Sequence, residues 1–545
     1  MHKLFLFLLF GIYTLAAAAV PAKRVRQTLT LADGSKVEAT MMGNETLHFY
    51  KTDDGRCLQC DSLGIAHFID SDILYNRWKA NVERRHVTKP SRKGISGRKQ
   101  GARAPMTGSK LGLVILVQFP ESSFHYTDST FQRYFNEEGY TDDVNVGSVH
   151  DYFIDASYGQ FDFTFDVIGP ITMSKPLSYY GNNDSYGYDL YPATMITEAV
   201  NMIDDKVDFS RYDWDGDGEV EQLFVIHSGY DEAQGGKRTD IWSHAYTLSE
   251  AEEFGDGNGP VAADGVLIDR YATSSELRGN SGTRIAGIGT ACHEFSHCFS
   301  LPDFYDTEGH NFGMNSWDIM DYGCYNGNGG RPAGFTSYER AFCGWLTPIE
   351  LTEPIAVQNM PPLTSEPVAY ILRNSGKEDE YYLLENRQQE SWDSDLSGHG
   401  MLILHVDYDQ EAWALQAVNT ERFHQRMTII PADNILYSST LAGDPWPGTS
   451  NNTVLSDTST PAATLYNKSA EGDKLMHHTF TEISESADGR ISFNFDDKAS
   501  KTPSIISTKG EESVYDLQGR KINSLHFTGN YRGVCIRNGK KLLIQ

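Results

Sequence analysis

At 545 residues and a formal net charge of −28, the chain is too long for one ordinary hydrophobic core, so two or three domains are expected. A polyanion repels phosphate and the central region shows no basic face, which argues against a nucleic-acid partner; the acidity is assigned to solubility and calcium. Seven cysteines are too few for a disulfide scaffold of this length.

Residues 1–19 carry Lys3, an apolar run from Leu4 to Leu15 and then four alanines, the pattern of a secretory signal peptide cut after Ala19 or Ala22. The protein is therefore expected to be secreted or held at the cell surface. The apolar core of this leader is too short to span a membrane and no later stretch is longer, so no transmembrane segment is expected. Next, Thr-Leu-Thr-Leu-Ala-Asp-Gly-Ser-Lys-Val and Leu-His-Phe-Tyr-Lys-Thr-Asp-Asp-Gly-Arg alternate apolar and polar residues around Asp-Gly turns, which predicts a small β-sheet. Cys57 and Cys60 form a CxxC with no second pair at metal spacing, so a local disulfide or two ordinary residues is the expectation. A basic stretch from Lys79 to Arg103, rich in Pro, Ser and Gly, reads as a solvated linker and a cleavage target for trypsin-like proteases.

Leu-Gly-Leu-Val-Ile-Leu-Val-Gln-Phe (111–119) has the length and continuous apolarity of a buried central strand. Leu190 to Ile203 has helical spacing, and Val220 to His227 is a second buried-strand candidate. Strands and helices thus interleave around one sheet, an α/β arrangement assigned to residues 105–348. Asp213, Asp215 and Asp217 followed by Gly218 form the first half of an EF-hand-type calcium loop, with Glu219 next in line. Its second half departs from that pattern: Phe224 stands at position 12, and Glu221 could supply the missing oxygen from position 9. Five carboxylates in nine residues repel one another without a cation, which favours Ca²⁺ over a water-exposed turn.

Residues 293–297 read His-Glu-Phe-Ser-His. On a helix His293 and His297 share one face and can hold a single Zn²⁺, while Glu294 can take a proton from the attacking water. Cys292 and Cys298 lie on different helix faces and read as small core residues. The implied chemistry is peptide hydrolysis. From 349 to 497 the chain has many short β-rich runs, among them Ala369–Leu372, Tyr381–Leu384, Met401–Val406, Met427–Ile430 and Ile491–Phe495, which predict an all-β domain.

Several motifs in order resemble the immune inhibitor A type of secreted zinc metallopeptidase. They are Ser-Val-His-Asp-Tyr-Phe with Ser-Tyr-Gly-Gln (148–160), the Asp-rich loop at 213, Gly-Thr-Ala-Cys-His-Glu-Phe-Ser-His (289–297), Leu-Pro-Asp-Phe-Tyr-Asp (301–306), Gly-Trp-Leu (344–346), Tyr-Leu-Leu-Glu-Asn-Arg (382–387) and Asp-Pro-Trp-Pro-Gly (444–448). The resemblance implies an α/β metzincin-like catalytic domain, a latent proenzyme, protein or peptide substrates, and a propeptide with its basic linker over residues 20–104. In the elongated HExxHxxGxxD pattern of such peptidases the third ligand would be Asp303, although Ser300 stands where the pattern has glycine; Glu339 is the alternative. Asn-Ser-Trp-Asp-Ile-Met-Asp-Tyr-Gly (315–323) resembles the methionine turn beneath the zinc, with Met320 as its floor and Tyr322 as an oxyanion-stabilising tyrosine. Cys57 could silence the zinc as a thiolate plug or simply sit in a hairpin. Residues 498–545 comprise a polar linker and a segment that resembles the β-rich sorting tails of Bacteroidetes-type secreted proteins, or an ordinary edge hairpin. Two other classes fit less well: a zinc hydrolase of non-protein substrates, and a binding or adhesion protein on an inactive peptidase scaffold.

Overall fold

The computed structural model describes residues 18–61, 63–84, 106–184 and 187–496, together with four short strands between 514 and 544. The leader before Ala18 and most of the basic stretch, Lys89 to Arg103 included, lie outside the described residues. No helix among the described residues is long and apolar enough to cross a membrane.

The first element, β1 (Ala18–Ala19), is followed by β2 (Arg26–Leu31), β3 (Lys36–Asn44), β4 (Leu47–Lys51), β5 (Cys57–Cys60) and β6 (Ile65–Ile69), which close into a five-stranded barrel from β2 to β6. The predicted Asp-Gly turns are there: Asp33-Gly34 joins β2 to β3, and Asp54-Gly55 joins β4 to β5. Cys57 and Cys60 are free thiols. Cys57 packs with Met42, Leu47, Phe49, Leu74 and Trp78 in the barrel's own core, so it is a packing residue and neither half of a local disulfide nor a plug over the histidines. Helix α1 (Ser71–Arg84) then carries the start of the basic stretch, so Lys79 is helical and does not belong to a linker.

The central sheet is built on β7 (Gly108–Gln118), whose Leu113 to Val117 are all buried. Helices α2 (Asp128–Asn136) and α3 (Val149–Ala156) precede β8 (Phe161–Thr172); α4 (Leu177–Tyr180) and α5 (Pro192–Ile203) precede β9 (Leu223–His227). β10 (His244–Thr247), α6 (Leu248–Glu253), the hairpin β11 (Val261–Ala263) and β12 (Val266–Ile268), and β13 (Arg270–Ser275) complete this part. The sheet order is β1-β10-β13-β9-β7-β8: β7, β8, β9 and β13 run parallel, β10 is antiparallel to β13, and β1 is antiparallel to β10.

The two-residue period of β7 divides the core. Leu113, Ile115 and Val117 pack with Met195, Ile196, Ala199 and Val200 of α5. Val114 and Leu116 face the other way, toward Ile288, Ala291 and Phe295 of α7 (Ile288–Ser296). Phe295 stacks on Phe224 of β9 with centroids 4.5 Å apart, and touches the rings of Phe163 and Phe165 edge-on or tilted. Burying such a ring stabilises by about 1.5–3 kcal/mol and fixes α7 against the sheet one residue from Glu294.

α8 (Ser337–Cys343) follows, then the predicted β-rich part: β14 (Ile349–Glu350), β15 (Ile355–Met360), β16 (Tyr370–Asn374), β17 (Lys377–Arg387), β18 (Gly400–Asp407), β19 (Met427–Ile429), β20 (Phe480–Glu485) and β21 (Ile491–Phe495). They form a five-stranded sheet, β14-β16-β17-β18-β19, and a three-stranded one, β15-β21-β20. The Glu-Asn-Arg end of β17 reaches into the catalytic part. The fully buried Arg387 guanidinium forks onto Asp393 at 2.6 and 2.7 Å, pairs with Glu385 at 3.1 Å, and donates to the carbonyls of Trp317 and Gly334. Paired charges and bonded carbonyls are what make so buried a cation tolerable. The chain through Asp496 is one compact unit. The second unit contains Val514–Asp516, Lys521–Ile522, Gly533–Arg537 and Lys540–Ile544 in one antiparallel sheet.

Candidate active site

Helix α7 can lie directly on the turn after Met320 because residue 289 has no side chain: a Cβ there would sit 2.0 Å from the Cys324 carbonyl oxygen. The helix ends at Ser296 and a 3₁₀ turn carries on through His297, which keeps His293 and His297 on one face, with ring centroids 4.9 Å apart. Both rings and Glu294 are fully buried. His293 donates from Nδ1 to the Ile319 carbonyl at 2.7 Å, and His297 from Nδ1 to the Leu301 carbonyl at 2.8 Å. Burial pushes the His297 pKa down to about 4, so that ring stays neutral.

With each Nδ1–H committed to a carbonyl, the two Nε2 atoms face each other across 3.3 Å. Asp303 brings a third acceptor: its Oδ1 lies 3.2 Å from Nε2 of His293 and 3.5 Å from Nε2 of His297, and makes no hydrogen bond. Two imidazole nitrogens and a carboxylate oxygen buried together favour a cation between them. A tetrahedral ion with bonds of about 2.0–2.1 Å spaces its ligand atoms about 3.3 Å apart, as these are spaced. The donor set therefore fits a metal ion of the zinc type.

Asp303 gets there because Ser300 adopts the left-handed conformation, φ 67° and ψ 26°, and donates its N–H to the His297 carbonyl. The serine thus makes the turn that the glycine of the elongated pattern would make. Left-handed backbone costs a non-glycine residue roughly 1–2 kcal/mol, partly offset by glycine's larger entropy loss on folding. Ser300→Gly is therefore expected to stabilise the protein by about 0.5–1 kcal/mol, read as a rise in Tm; a fall in Tm would show that the serine is not strained.

Glu339 is not in this cluster. Its carboxylate accepts the Thr336 N–H at 2.7 Å in a capping box at the start of α8, and burial together with Asp318 raises its pKa well above the ordinary range. The Thr-Ser-Tyr-Glu spacing of 336–339 is the sequence signature of that box, and it points away from a ligand role.

Glu294 accepts the backbone N–H of Val20 on Oε1 at 3.0 Å, and its Oε2 makes no hydrogen bond. Burial, and next the Asp303 carboxylate, push its pKa well above the ordinary range, while the Val20 N–H acts the other way. Met320 is fully buried and its carbonyl accepts the Phe304 N–H, which ties the Asp303 loop to the turn whose Ile319 carbonyl orients His293. Tyr322 follows that turn, and its ring lies beneath the Arg24 guanidinium, 4.0 Å from the ring centroid.

The cleft is lined by residues that the sequence reading did not single out. β1 lies along the edge strand β10, Ala18 opposite Ala245 and Ala19 opposite His244. Tyr305 donates its hydroxyl to the Ala19 carbonyl at 2.6 Å, Trp242 its indole N–H to the Val20 carbonyl at 3.1 Å, and Tyr325 its hydroxyl to the Pro21 carbonyl at 2.8 Å. Ala18, Ala19, Val20 and Ala22 are all buried. Both leader cuts expected from the sequence, after Ala19 and after Ala22, fall inside this bound stretch.

The acidic loop lies apart, before β9. Asp213, Asp215 and Asp217 hold carboxylate oxygens within 4.8 Å of one another. The Asp213 carboxylate accepts the N–H groups of Gly216 and Gly218, and Glu221 accepts that of Trp214, while Phe224 belongs to the strand.

Residues 118–345 match the family "Immune inhibitor A peptidase M6, catalytic domain". Pre-pro-metalloprotease PrtV of Vibrio cholerae serotype O1 is 26% identical over 274 residues, which cover 42% of this chain and 29% of that protein. Immune inhibitor A of Bacillus thuringiensis subsp. alesti is 25% identical over 274 residues, 42% of this chain and 39% of that protein. The chain thus spans well under half the length of these relatives. The matched segment runs from the end of β7 to Trp345 and contains His293, Glu294, His297 and Asp303. Residues 118–345 are a peptidase M6 domain homologous to these metalloproteases.

Proposed function

We propose that the protein is a zinc-dependent endopeptidase made as a latent proenzyme and exported. The observation that carries this reading is the convergence of two Nε2 atoms and Asp303 Oδ1 at mutual distances of 3.2–3.5 Å beside a buried glutamate. His293, His297 and Asp303 would hold Zn²⁺, which when bound supplies Lewis acidity and lowers the pKa of water. Glu294 removes a proton from the attacking water and passes it to the departing nitrogen, the position taken here by the Val20 N–H. An extended substrate lies antiparallel on β10, as β1 does. Tyr322 is the sequence-based candidate for an additional hydroxyl at the carbonyl. Metal content measured by mass spectrometry, beside a chelator-sensitive casein assay on protein cut between residues 85 and 105, tests the reading. One zinc per chain with metal-dependent hydrolysis is expected; a chain that binds no metal would overturn it.

Latency is attributed to residues 20–24, which remain in the cleft when the leader is cut after Ala19, with the Val20 nitrogen on Glu294 and the Arg24 side chain over Tyr322. A trypsin-like protease acting on the basic stretch would sever this module from the enzyme. The segment from 498 onward is proposed as a sorting tail.

Asp213, Asp215, Asp217, Glu219 and Glu221 are proposed to bind Ca²⁺, supported by three carboxylates gathered within 4.8 Å. Calcium at a hundred times its Kd would then add about 2.7 kcal/mol of stability. A calcium-selective chelator is expected to lower Tm in the wild type and to change nothing in Asp215→Ala. Equal responses in the two proteins would exclude this loop.

A further inference from the structure

His48, on β4 of the N-terminal barrel, reaches out of the barrel into a slot in the peptidase domain. Its ring lies on the Trp242 indole, with centroids 5.1 Å apart and planes 20° from parallel. Gly187 comes as near as only a residue without a side chain can: a Cβ there would lie 2.8 Å from the imidazole. At the edge of the ring, Nε2 is 3.7 Å from Glu232 Oε1 and 3.5 Å from Asn183 Nδ2. This contact satisfies neither partner. Glu232 is 2% exposed and its Oε1 accepts from Asn183 Nδ2 at 3.0 Å, but its Oε2 has no hydrogen-bond partner among the described residues, and neither has His48 Nδ1. Burial, and next the Arg238 charge, push the His48 pKa down to about 4, so the ring is neutral. Burial lifts the Glu232 carboxyl well above its ordinary range, while the Asn183 bond acts the other way. A buried carboxyl with one oxygen unbonded costs free energy that a cation with N–H donors would recover.

The slot belongs to the enzyme and stays when the barrel leaves. Trp242, Glu232, Asn183 and Gly187 all lie within the matched segment 118–345, whereas His48 departs with the N-terminal module. The slot also borders the cleft. Trp242 donates its indole N–H to the Val20 carbonyl at 3.1 Å and Glu294 accepts the N–H of the same residue at 3.0 Å, so these two enzyme side chains stand one residue apart along the cleft. That spacing is set by the enzyme and holds wherever the leader is cut.

We propose that this slot is a specificity subsite for an arginine side chain of the substrate, whose guanidinium lies on the Trp242 indole and turns its N–H groups toward Glu232. A guanidinium is planar, charged at every working pH, and carries its donors in the plane of the group, so it can stack on an indole and reach a carboxylate at once. A neutral ring fills the same space but leaves Glu232 Oε2 unbonded, as His48 does. A lysine ammonium is not planar and would leave the indole face uncovered. The surroundings favour a cation: Asp231 and Asp240 add negative charge at Glu232, and Arg238 opposes them. The Arg238 guanidinium is itself tied to the barrel, where it donates to the Asp61 carbonyl.

The inference rests on the peptidase reading above, and the test separates the two. Protein cut between residues 85 and 105 and freed of its N-terminal module is given a peptide series with arginine, citrulline, lysine or alanine at each position in turn. kcat/KM is measured on zinc-loaded protein, and Kd by calorimetry on zinc-free protein, where no hydrolysis is needed. At one position arginine is expected to exceed citrulline, its neutral and nearly isosteric counterpart, by ~10-fold or more in both measurements, and lysine by a similar factor. Glu232→Gln should bring the arginine-to-citrulline ratio to within about twofold of one, because the charge that told them apart is gone. Trp242→Leu, which keeps the carboxylate and removes the stacking face, should weaken arginine relative to alanine by ~5-fold. If Glu232→Gln does not fold, the wild-type ratios and Trp242→Leu decide. Wild type that binds and cuts the arginine and citrulline peptides equally overturns the proposal, as it would if Arg238 closed onto Glu232 once the module had left. A preference undiminished in Glu232→Gln overturns it too. Arginine-selective binding by zinc-free protein that shows no zinc-dependent hydrolysis would uphold the subsite and defeat the peptidase reading.

Discussion

Glu294→Gln, made in protein freed of residues 18–104, is expected to lower kcat/KM on a protein substrate by ~10²–10⁴-fold while metal content stays at one ion per chain. The two side chains are nearly isosteric, so the α7 packing set by Phe295 on Phe224 is unaffected, and no metal donor is removed. What is lost is the acceptor for the water proton. Glutamine cannot take it, and the departing nitrogen then has no acid beside it. The carboxylate is well placed for both tasks: it is fully buried, Oε1 already faces a peptide nitrogen, and Oε2 has no hydrogen-bond partner. Its raised pKa, caused first by burial, brings its proton affinity nearer to that of the groups it must exchange protons with. A Glu294→Gln enzyme with undiminished activity would refute the base assignment, whereas one that had also lost its metal would say nothing against it.

The parts of this site written in local chemistry could be read from the chain. Two histidines four apart with a glutamate between them specify one helix face, and α7 with its following turn delivers them. The apolar run at 111–119 became the buried strand β7, the spacing at 190–203 became α5, and each predicted run in the β-rich part has its strand. Asp303 was legible as a candidate, but whether Ser300 would take a left-handed turn is decided by the closing loop and not by the residue's own preference. The placing of Glu339 outside the histidine cluster was legible too, in the capping-box spacing from Thr336. The second half of the helix at 71–84 was hidden by charge: Lys79 and Arg84 read as part of a solvated linker, while Leu74 and Trp78 supply the buried face that makes the segment a helix.

The occupant of the cleft was not legible, for a physical reason. Ala-Ala-Val-Pro-Ala carries no charge, no metal donor and no periodicity, and what holds it are backbone N–H and C=O groups that every residue possesses. Its specificity lies with the receptor, in Glu294, Tyr305, Trp242 and Tyr325, which are drawn together from segments 83 residues apart in sequence. Arg387 is similar. Its Tyr-Leu-Leu-Glu-Asn-Arg motif is conspicuous, but its ties to the Trp317 and Gly334 carbonyls depend on the β-rich part docking against residues 317–334. Long-range pairing of this kind leaves no trace at residue spacing.

A single change in that occupant should therefore undo latency without touching the enzyme. Val20→Asp, in uncut protein beginning at Ala18 so that export processing plays no part, is expected to raise peptidase activity by ~10²-fold or more over the uncut wild type. Val20 is fully buried, with its backbone nitrogen on Glu294 and its neighbour Ala19 within 3.4 Å of Asp303 Oδ2. An aspartate there would carry a third carboxylate into a site that already buries two. The effective cost of burying an unpaired ion is several kcal/mol, and like charges add to it. Since about 1.4 kcal/mol is a factor of ten, a cost of about 3 kcal/mol already shifts the closed cleft a hundredfold toward the open one. The N-terminal module would stay docked through contacts away from the change, including the Arg422 guanidinium, which pairs with Asp72 at 3.4 Å and lies over the Tyr75 ring of α1. The same substitution cannot matter once residues 18–104 are gone, so cut protein from either source should have equal activity. If uncut Val20→Asp stays as silent as the wild type, the bulk of the barrel and not the strand keeps substrate out, and residues 18–24 are passengers in the cleft.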